Sequence, residues 1–243
     1  MTLHLAIDTA TSLGTVAVGP GGGAPLAEVT FGERRHAASA APAVEEALRL
    51  AGVSWSDLGG IVLADGPGSF TGLRIGAALA QGFLRARESL SLATAPSLLA
   101  AAWTASCFYD GPIAALYDAL RGEIFAAVYR IGTGGVEILL PPTLTRIDAL
   151  RQRPDLRPLV AVGDGAFRHS DAVMAWTGRK PVAPPVGAPR ASALLQLLGI
   201  PGACRAVPVP AEFEPDYGRA AEAQVRWERA HGRSLPNSPR DLS

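Results

Sequence analysis

The chain has 243 residues, 48% of them apolar and 18% charged, and its 22 basic residues balance 22 acidic ones. That is the composition of a globular protein, and it argues against a free-standing nucleic-acid binder, whose affinity rests on a basic excess that neutralises phosphates. Cys107 and Cys204 are too few for a disulfide framework and too far apart for a metal knuckle, so a reducing, cytoplasmic setting is expected.

The opening residues carry Asp8 and no basic stretch ahead of an apolar core, so no secretory leader is expected. Leu3 to Asp8 alternates and then turns apolar, which predicts a strand. A polar turn from Thr9 to Gly14 separates it from a second strand, Thr15 to Val18. The Gly/Pro-rich loop Gly19 to Pro25 then leads to a third, Leu26 to Phe31, so three antiparallel strands open the fold. His36 to Ala51 places Val44, Ala47, Leu48 and Leu50 on or near one face of a helix that Gly52 stops. Gly60 to Ala64 is long enough only for a buried strand. A helix from Leu73 to Ala86, a strand from Leu90 to Thr94 and a helix from Pro96 to Ala105 complete this half.

At Ile113 the order begins again. Strands are predicted over Ile113 to Tyr117, Glu123 to Tyr129 and Val136 to Leu140, with a turn at Asp118 to Gly122. Ala6-Ile7-Asp8-Thr9 and Leu116-Tyr117-Asp118-Ala119 both end a strand on aspartate and lead into a turn containing glycine, Gly14 or Gly122. This weak repeat predicts two related lobes, residues 1–108 and a smaller 109–225, followed by a tail at 226–243. Val160 to Val162 and Gly163-Asp164-Gly165 read as strand and turn, and Ala191 to Leu198 as a short helix. Gly218 to Ala230 suits an amphipathic helix, and Gly232 to Ser243 is expected to lack fixed structure. No run reaches the ~18 apolar residues that a membrane span needs.

The most specific segment is Asp65-Gly66-Pro67-Gly68-Ser69-Phe70-Thr71-Gly72-Leu73-Arg74-Ile75-Gly76. Its glycines permit close backbone approach, and a helix N-terminus offers unpaired N–H groups to an anion. It is not a Walker loop, because Leu73 and Arg74 stand where Lys-Ser/Thr would close one, and its Gly-x-Gly-x-x-x-Gly spacing misses the dinucleotide fingerprint. Two readings stay open. One is a tight strand-to-helix turn capped by Ser69 or Thr71; the other is a nucleotide or anion contact through Gly66, Gly68, Ser69 and Thr71. Asp8-Thr9-Ala10-Thr11-Ser12 carries the same ambiguity. Asp8, Thr9 and Thr11 suit a hydrated cation with nucleotide phosphates, or an Asx turn that closes a hairpin.

Other chemistry is poorly supplied. His4, His36, His169 and His231 are far apart, there is no His-x-x-x-His or Cys-x-x-Cys pair, and no Gly-x-Ser-x-Gly elbow. Lys180 is the sole lysine. Gly76, Ala77, Ala78, Ala80 and Gly82 make the helix of residues 73–83 rich in small side chains, which suits either burial in the chain or a helix-on-helix subunit contact.

Ala6-Ile7-Asp8-Thr9-Ala10-Thr11-Ser12, the glycine-rich run and Tyr117-Asp118-Ala119-Leu120-Arg121-Gly122-Glu123-Ile124-Phe125 together resemble the TsaB (YeaZ) proteins. Gly163-Asp164-Gly165, Pro215-Asp216-Tyr217-Gly218-Arg219 and Glu222-Ala223 extend the likeness, which covers about residues 3 to 225. The resemblance implies an α/β fold of two actin-like (ASKHA, ribonuclease H-like) lobes, with mixed sheets flanked by helices. It implies a non-catalytic partner subunit of the complex that forms N6-threonylcarbamoyladenosine at position 37 of tRNA. The catalytic subunit there is TsaD, which uses the adenylate made by TsaC, while a TsaE-type ATPase docks on the pair. The chain itself would need no cofactor and no metal; ATP or ADP and metal belong to the partner subunits. It would meet tRNA only through the complex and no membrane at all, and a homodimer in the absence of TsaD stays open.

The implied interface is a bundle of two helices from each subunit, here about residues 36–51 and 73–86. Its expected contacts are Val44, Ala47, Leu48, Leu73, Gly76, Ala77, Ala80 and Phe83. On that expectation Gly76→Arg or Ala80→Arg breaks pairing and leaves the lobes folded. A nucleotide-dependent small-molecule kinase resting on Asp8 is the alternative. A glycoprotease ranks last, for want of a metal triad or a nucleophile with a base.

Overall fold

A computed structural model describes residues 2–32, 36–132, 134–219, 227 and 230–232. β1 (Leu3–Asp8), β2 (Gly14–Pro20) and β3 (Ala27–Phe31) form the expected antiparallel opening. β4 (Leu58–Ala64) runs parallel to β1 on its other side, β5 (Ser91–Ala95) runs parallel to β4, and β10 (Arg205–Ala206) closes the edge antiparallel to β5. A second sheet repeats the scheme. β6 (Ile113–Asp118), β7 (Ile124–Gly132) and β8 (Gly135–Thr145) are antiparallel in succession, and β9 (Val160–Val162) lies parallel to β6. The strand orders are β10-β5-β4-β1-β2-β3 and β8-β7-β6-β9. The repeat seen in the sequence therefore marks β1 and β6, the strands that each pair antiparallel on one side and parallel on the other.

Side chains alternate across both sheets, as the two-residue period of a strand requires. Leu5, Ile7, Ile61 and Leu63 face outward from the first sheet and are covered by α1 (His36–Ala51) and α2 (Phe70–Ala86). Ala6, Ala17, Val62 and Ala64 face the other way, into a core shared with Ile113, Ala115 and Tyr117 of the second sheet. Between the sheets lie α3 (Ser97–Ser106) and α7 (Ala191–Leu197). Ala100, Ala101, Ala102 and Ala105 are fully buried there, and their size lets α3 approach closely. Ala114, Leu116 and Val128 face the far side, covered by α4 (Ile147–Arg151), α5 (Asp164–Arg168) and α6 (Ser170–Thr177).

The two inner helices cross over. α3 follows the strands of the first sheet yet packs on β6 and β7, while α7 follows the second sheet and packs on β1 and β2. Trp103 Nε1 donates to Gln196 Oε1 at 2.7 Å and joins them. The start of α7 is fixed to the first sheet: Ala191 N–H donates to Thr15 Oγ1 (2.9 Å), Ser192 N–H to Glu28 Oε1 (3.0 Å), and Arg190 pairs with Glu28 Oε2 (2.6 Å).

α2 begins at Phe70, three residues before the apolar periodicity does, because Ser69 Oγ accepts the Gly72 N–H at 3.2 Å and caps the helix. The predicted helix at 218–230 and the tail beyond lie largely outside the described residues. Among the described residues no helix is long and apolar enough to cross a membrane.

Candidate functional site

α1 and α2 pack side by side on the first sheet, and their inward and outward faces differ from the expected division. Val44, Ala47, Leu73, Gly76, Ala77 and Ala80, six of the eight expected interface residues, are buried in the chain's own core. Gly76 shows why: a Cβ there would sit 2.5 Å from Thr9 Oγ1 and 3.2 Å from Leu63. Its smallness lets α2 lie close on β1 and β4, so it is not free to receive another subunit. Leu48 and Phe83 stay half-exposed, Phe83 against Trp55 with ring centroids 4.5 Å apart. The surface turned to solvent is another set, with Ala41 and Glu45 on α1 and Thr71, Arg74, Ala78 and Gly82 on α2, flanked by half-buried Ile75 and Leu79. Small residues occupy both faces of α2, so their count alone does not select one. Arg74 and Arg85, both exposed, carry the phase signal that marks the outer face.

At the end of β1, Asp8 and Thr9 are fully buried and Thr11 nearly so. Asp8 Oδ1 accepts the Ala10 N–H at 3.0 Å, whereas Asp8 Oδ2 and Thr9 Oγ1 meet no hydrogen-bond partner within the protein. Burial pushes the Asp8 carboxyl up to about 6; the Ala10 N–H opposes this and Glu28 adds to it. Thr11 Oγ1 closes its own turn, accepting the Leu13 N–H at 3.2 Å. The glycine-rich loop presses against the chain itself. A Cβ on Gly66, whose φ is +113°, would meet the Asp216 carbonyl oxygen at 1.9 Å, and one on Gly68 would meet the Ala10 carbonyl oxygen at 2.2 Å. Ser69 N–H donates to that same Ala10 oxygen at 2.6 Å. Ser69 is thus the cap and Thr71 is exposed.

A cleft of about 290 Å³ opens between the lobes, lined by Thr11, Ser12 and Leu13 from one side and Tyr117, Asp164 and Phe167 from the other. Pro184, Val186, Gly187, Ala188 and Pro189 form most of its remaining wall. Asp118, the counterpart of Asp8, is paired with Arg168 at 2.9 Å instead of being sealed away. Among the described residues no three His, Cys, Asp or Glu side chains converge as a metal site would require.

A family model described as TsaD, tRNA N6-adenosine threonylcarbamoyltransferase, matches residues 16–171. A Bacillus subtilis (strain 168) protein named tRNA threonylcarbamoyladenosine biosynthesis protein TsaB is 29% identical over 205 residues, 82% of this chain and 86% of its own length. The protein of that name from Escherichia coli K12 is 33% identical over 134 residues, 54% of this chain and 57% of its own. The chain belongs to this TsaD-like family, as one of its TsaB (YeaZ) members. A crystal structure from Pseudomonas aeruginosa, of a protein described as similar to peptidase YEAZ, matches with a TM-score of 0.73 at 25% identity, over 90% of this chain and 100% of that one. YeaZ from the same species gives 0.67 at 26% identity, over 82% of this chain and 91% of its own. The family likeness and the two mixed sheets agree with the actin-like α/β fold expected from the sequence.

Proposed function

We propose that this chain is a non-catalytic subunit of the machinery that makes N6-threonylcarbamoyladenosine in tRNA, pairing through the outer face of α1 and α2 with a catalytic TsaD homologue. A TsaE-type ATPase then acts on the pair, TsaC supplies the activated intermediate, and tRNA is met through the complex. Membership of the TsaB group supports the pathway. The observation that carries the pairing is the outer face itself, where Ala41, Ala78 and Gly82 leave room for another helix and Ile75, Leu79 and Leu48 offer half-buried apolar surface beside them. Close helix approach with apolar flanks is how obligate subunits come to resemble a core cut in two. The kinase alternative has less support, because the glycines that would approach phosphates approach the chain's own carbonyls instead.

Ala78→Arg and Gly82→Arg test this reading. Both positions are exposed, and a Cβ on Gly82 meets nothing within 4 Å. The variants are expected to melt like the parent. They are also expected to elute apart from the TsaD homologue of the same organism on size exclusion, with which the parent co-elutes. Co-elution of both variants would remove this surface from the reading.

A further inference from the structure

The outer face of α2 does not end with its small residues. Near its N-terminus the Arg74 guanidinium lies over the Phe70 ring, 4.1 Å from the centroid, and Arg74 Nε donates to Tyr217 Oη at 3.4 Å. Phe70 and Tyr217 pack together with centroids 4.5 Å apart, so the two rings form one platform under the cation. Tyr217 comes from the far end of the chain, and its segment is fastened down at several points. Asp216 N–H donates to the Asp65 carbonyl at 2.7 Å, and Gln81 Nε2 donates to the Phe213 carbonyl at 3.1 Å. Gly66 has no Cβ to obstruct the Asp216 carbonyl.

Arg74 is exposed, and among the described residues no carboxylate pairs with it; it contacts the two rings and the phenol oxygen. The guanidinium is held in place while the edge carrying its terminal nitrogens is left to another molecule. Fixing an arginine before binding lowers the entropy cost of pairing, and its planar fork matches a carboxylate. The neighbours Thr71, Ile75 and Ala78 are uncharged, and the next cation on α2, Arg85, lies ~16 Å along the axis at 1.5 Å per residue. On this stretch of α2 a single cation among small and apolar side chains does not suit a nucleic-acid backbone, which draws its affinity from many phosphates neutralised together.

We infer that Arg74, on its Phe70–Tyr217 platform, is a specificity anchor that receives an aspartate or glutamate carboxylate from the helix of the partner subunit lying on α2. The inference rests on the pairing proposed above and adds the chemical identity of one contact. The test measures the affinity of the full chain for the TsaD homologue of the same organism, using Arg74→Ala, Arg74→Lys, Tyr217→Phe and, as a control for the helix face, Ala78→Arg. Arg74→Ala is expected to weaken binding by about 30-fold or more, the size of truncating one member of a buried charge pair. Arg74→Lys should recover little of that, and Tyr217→Phe should cost a few-fold. Charge reversal, Arg74→Glu, should be rescued by an acid-to-arginine change on the partner helix. If Ala78→Arg abolishes binding while Arg74→Ala binds like the parent, the anchor is overturned and the pairing stands. If Arg74→Ala weakens binding but Ala78→Arg does not, no partner helix lies on α2, and the anchor as placed here is overturned with the pairing. Parent-like binding by both overturns both. A loss of tRNA affinity in the assembled complex with unchanged pairing would assign Arg74 to RNA and overturn the inference.

Discussion

The two lobes begin alike and end differently. Each has three antiparallel strands with a fourth lying parallel to the first, and each places an aspartate at the end of that first strand. After the parallel strand they diverge. β4 leads through a glycine turn into a helix of 17 residues, whereas β9 leads through Gly163 into helices of 5 and 8 residues. The aspartates diverge as well, Asp8 sealed with an oxygen unsatisfied and Asp118 at a rim with Arg168. One architecture thus yields two surfaces. Among the described residues only the first lobe carries a pair of long helices packed side by side, and only it hides its strand-end acid.

The comparison can be broken most forcefully at α2. Gly76→Arg is expected to prevent folding, with a loss of stability of about 4 kcal/mol or more, because a long charged side chain would have to enter the space against Thr9 and Leu63. This reverses the expectation, drawn from the sequence, that the lobes would survive the change; a cooperative melt near that of the parent would restore it. The buried acid comes next. Between the ordinary value of 3.8 and about 6, the unfolded chain has released the Asp8 proton and the folded chain still holds it. Stability therefore falls as pH rises through that window, by on the order of 3 kcal/mol in full. Asp8→Asn should stabilise the protein at pH 7.5 and much less at pH 4, read from denaturant midpoints at the two pH values. An unchanged pH profile would mean that the acid is not sealed as described. The smallest effect belongs to the second lobe. Asp118→Asn keeps an acceptor for the Leu120 N–H and loses an ion pair to a mostly exposed arginine, so its cost should stay below about 1 kcal/mol at any of these pH values. Equal responses from Asp8 and Asp118 would erase the contrast between the lobes.

Much of this fold was legible from residue patterns. The nine longer strands and the long helices match the sequence expectation to within about three residues at each end, except β8, which runs five residues past its expected end through Pro141 and Pro142. α4, α5 and α6 were missed: at five to eight residues they hold too few turns to show a period, and β10 has only two residues. The Ser69 cap could be read locally, since the cap and the N–H that donates to it are three residues apart. What Gly66 and Gly68 accommodate could not be, because the Asp216 carbonyl lies 150 positions away and the Ala10 carbonyl belongs to another turn. Which face α2 turns outward was not legible for a related reason. Alanine and glycine favour neither side of a helix, so Gly76 and Ala80 looked as available as Ala78 and Gly82 until the sheet beneath them was placed.

The crossing of α3 and α7 sets a limit on how this molecule can be divided. A cut near residue 108 would strip α7 and β10 from the first sheet and α3 from the second, baring Ala6 and Ala17 on one fragment and Ala115 and Ala127 on the other. Neither piece would be a self-sufficient half. The duplicated plan visible in the strands has become a single cooperative body, and fragments made by truncation should regain structure only when both are present together.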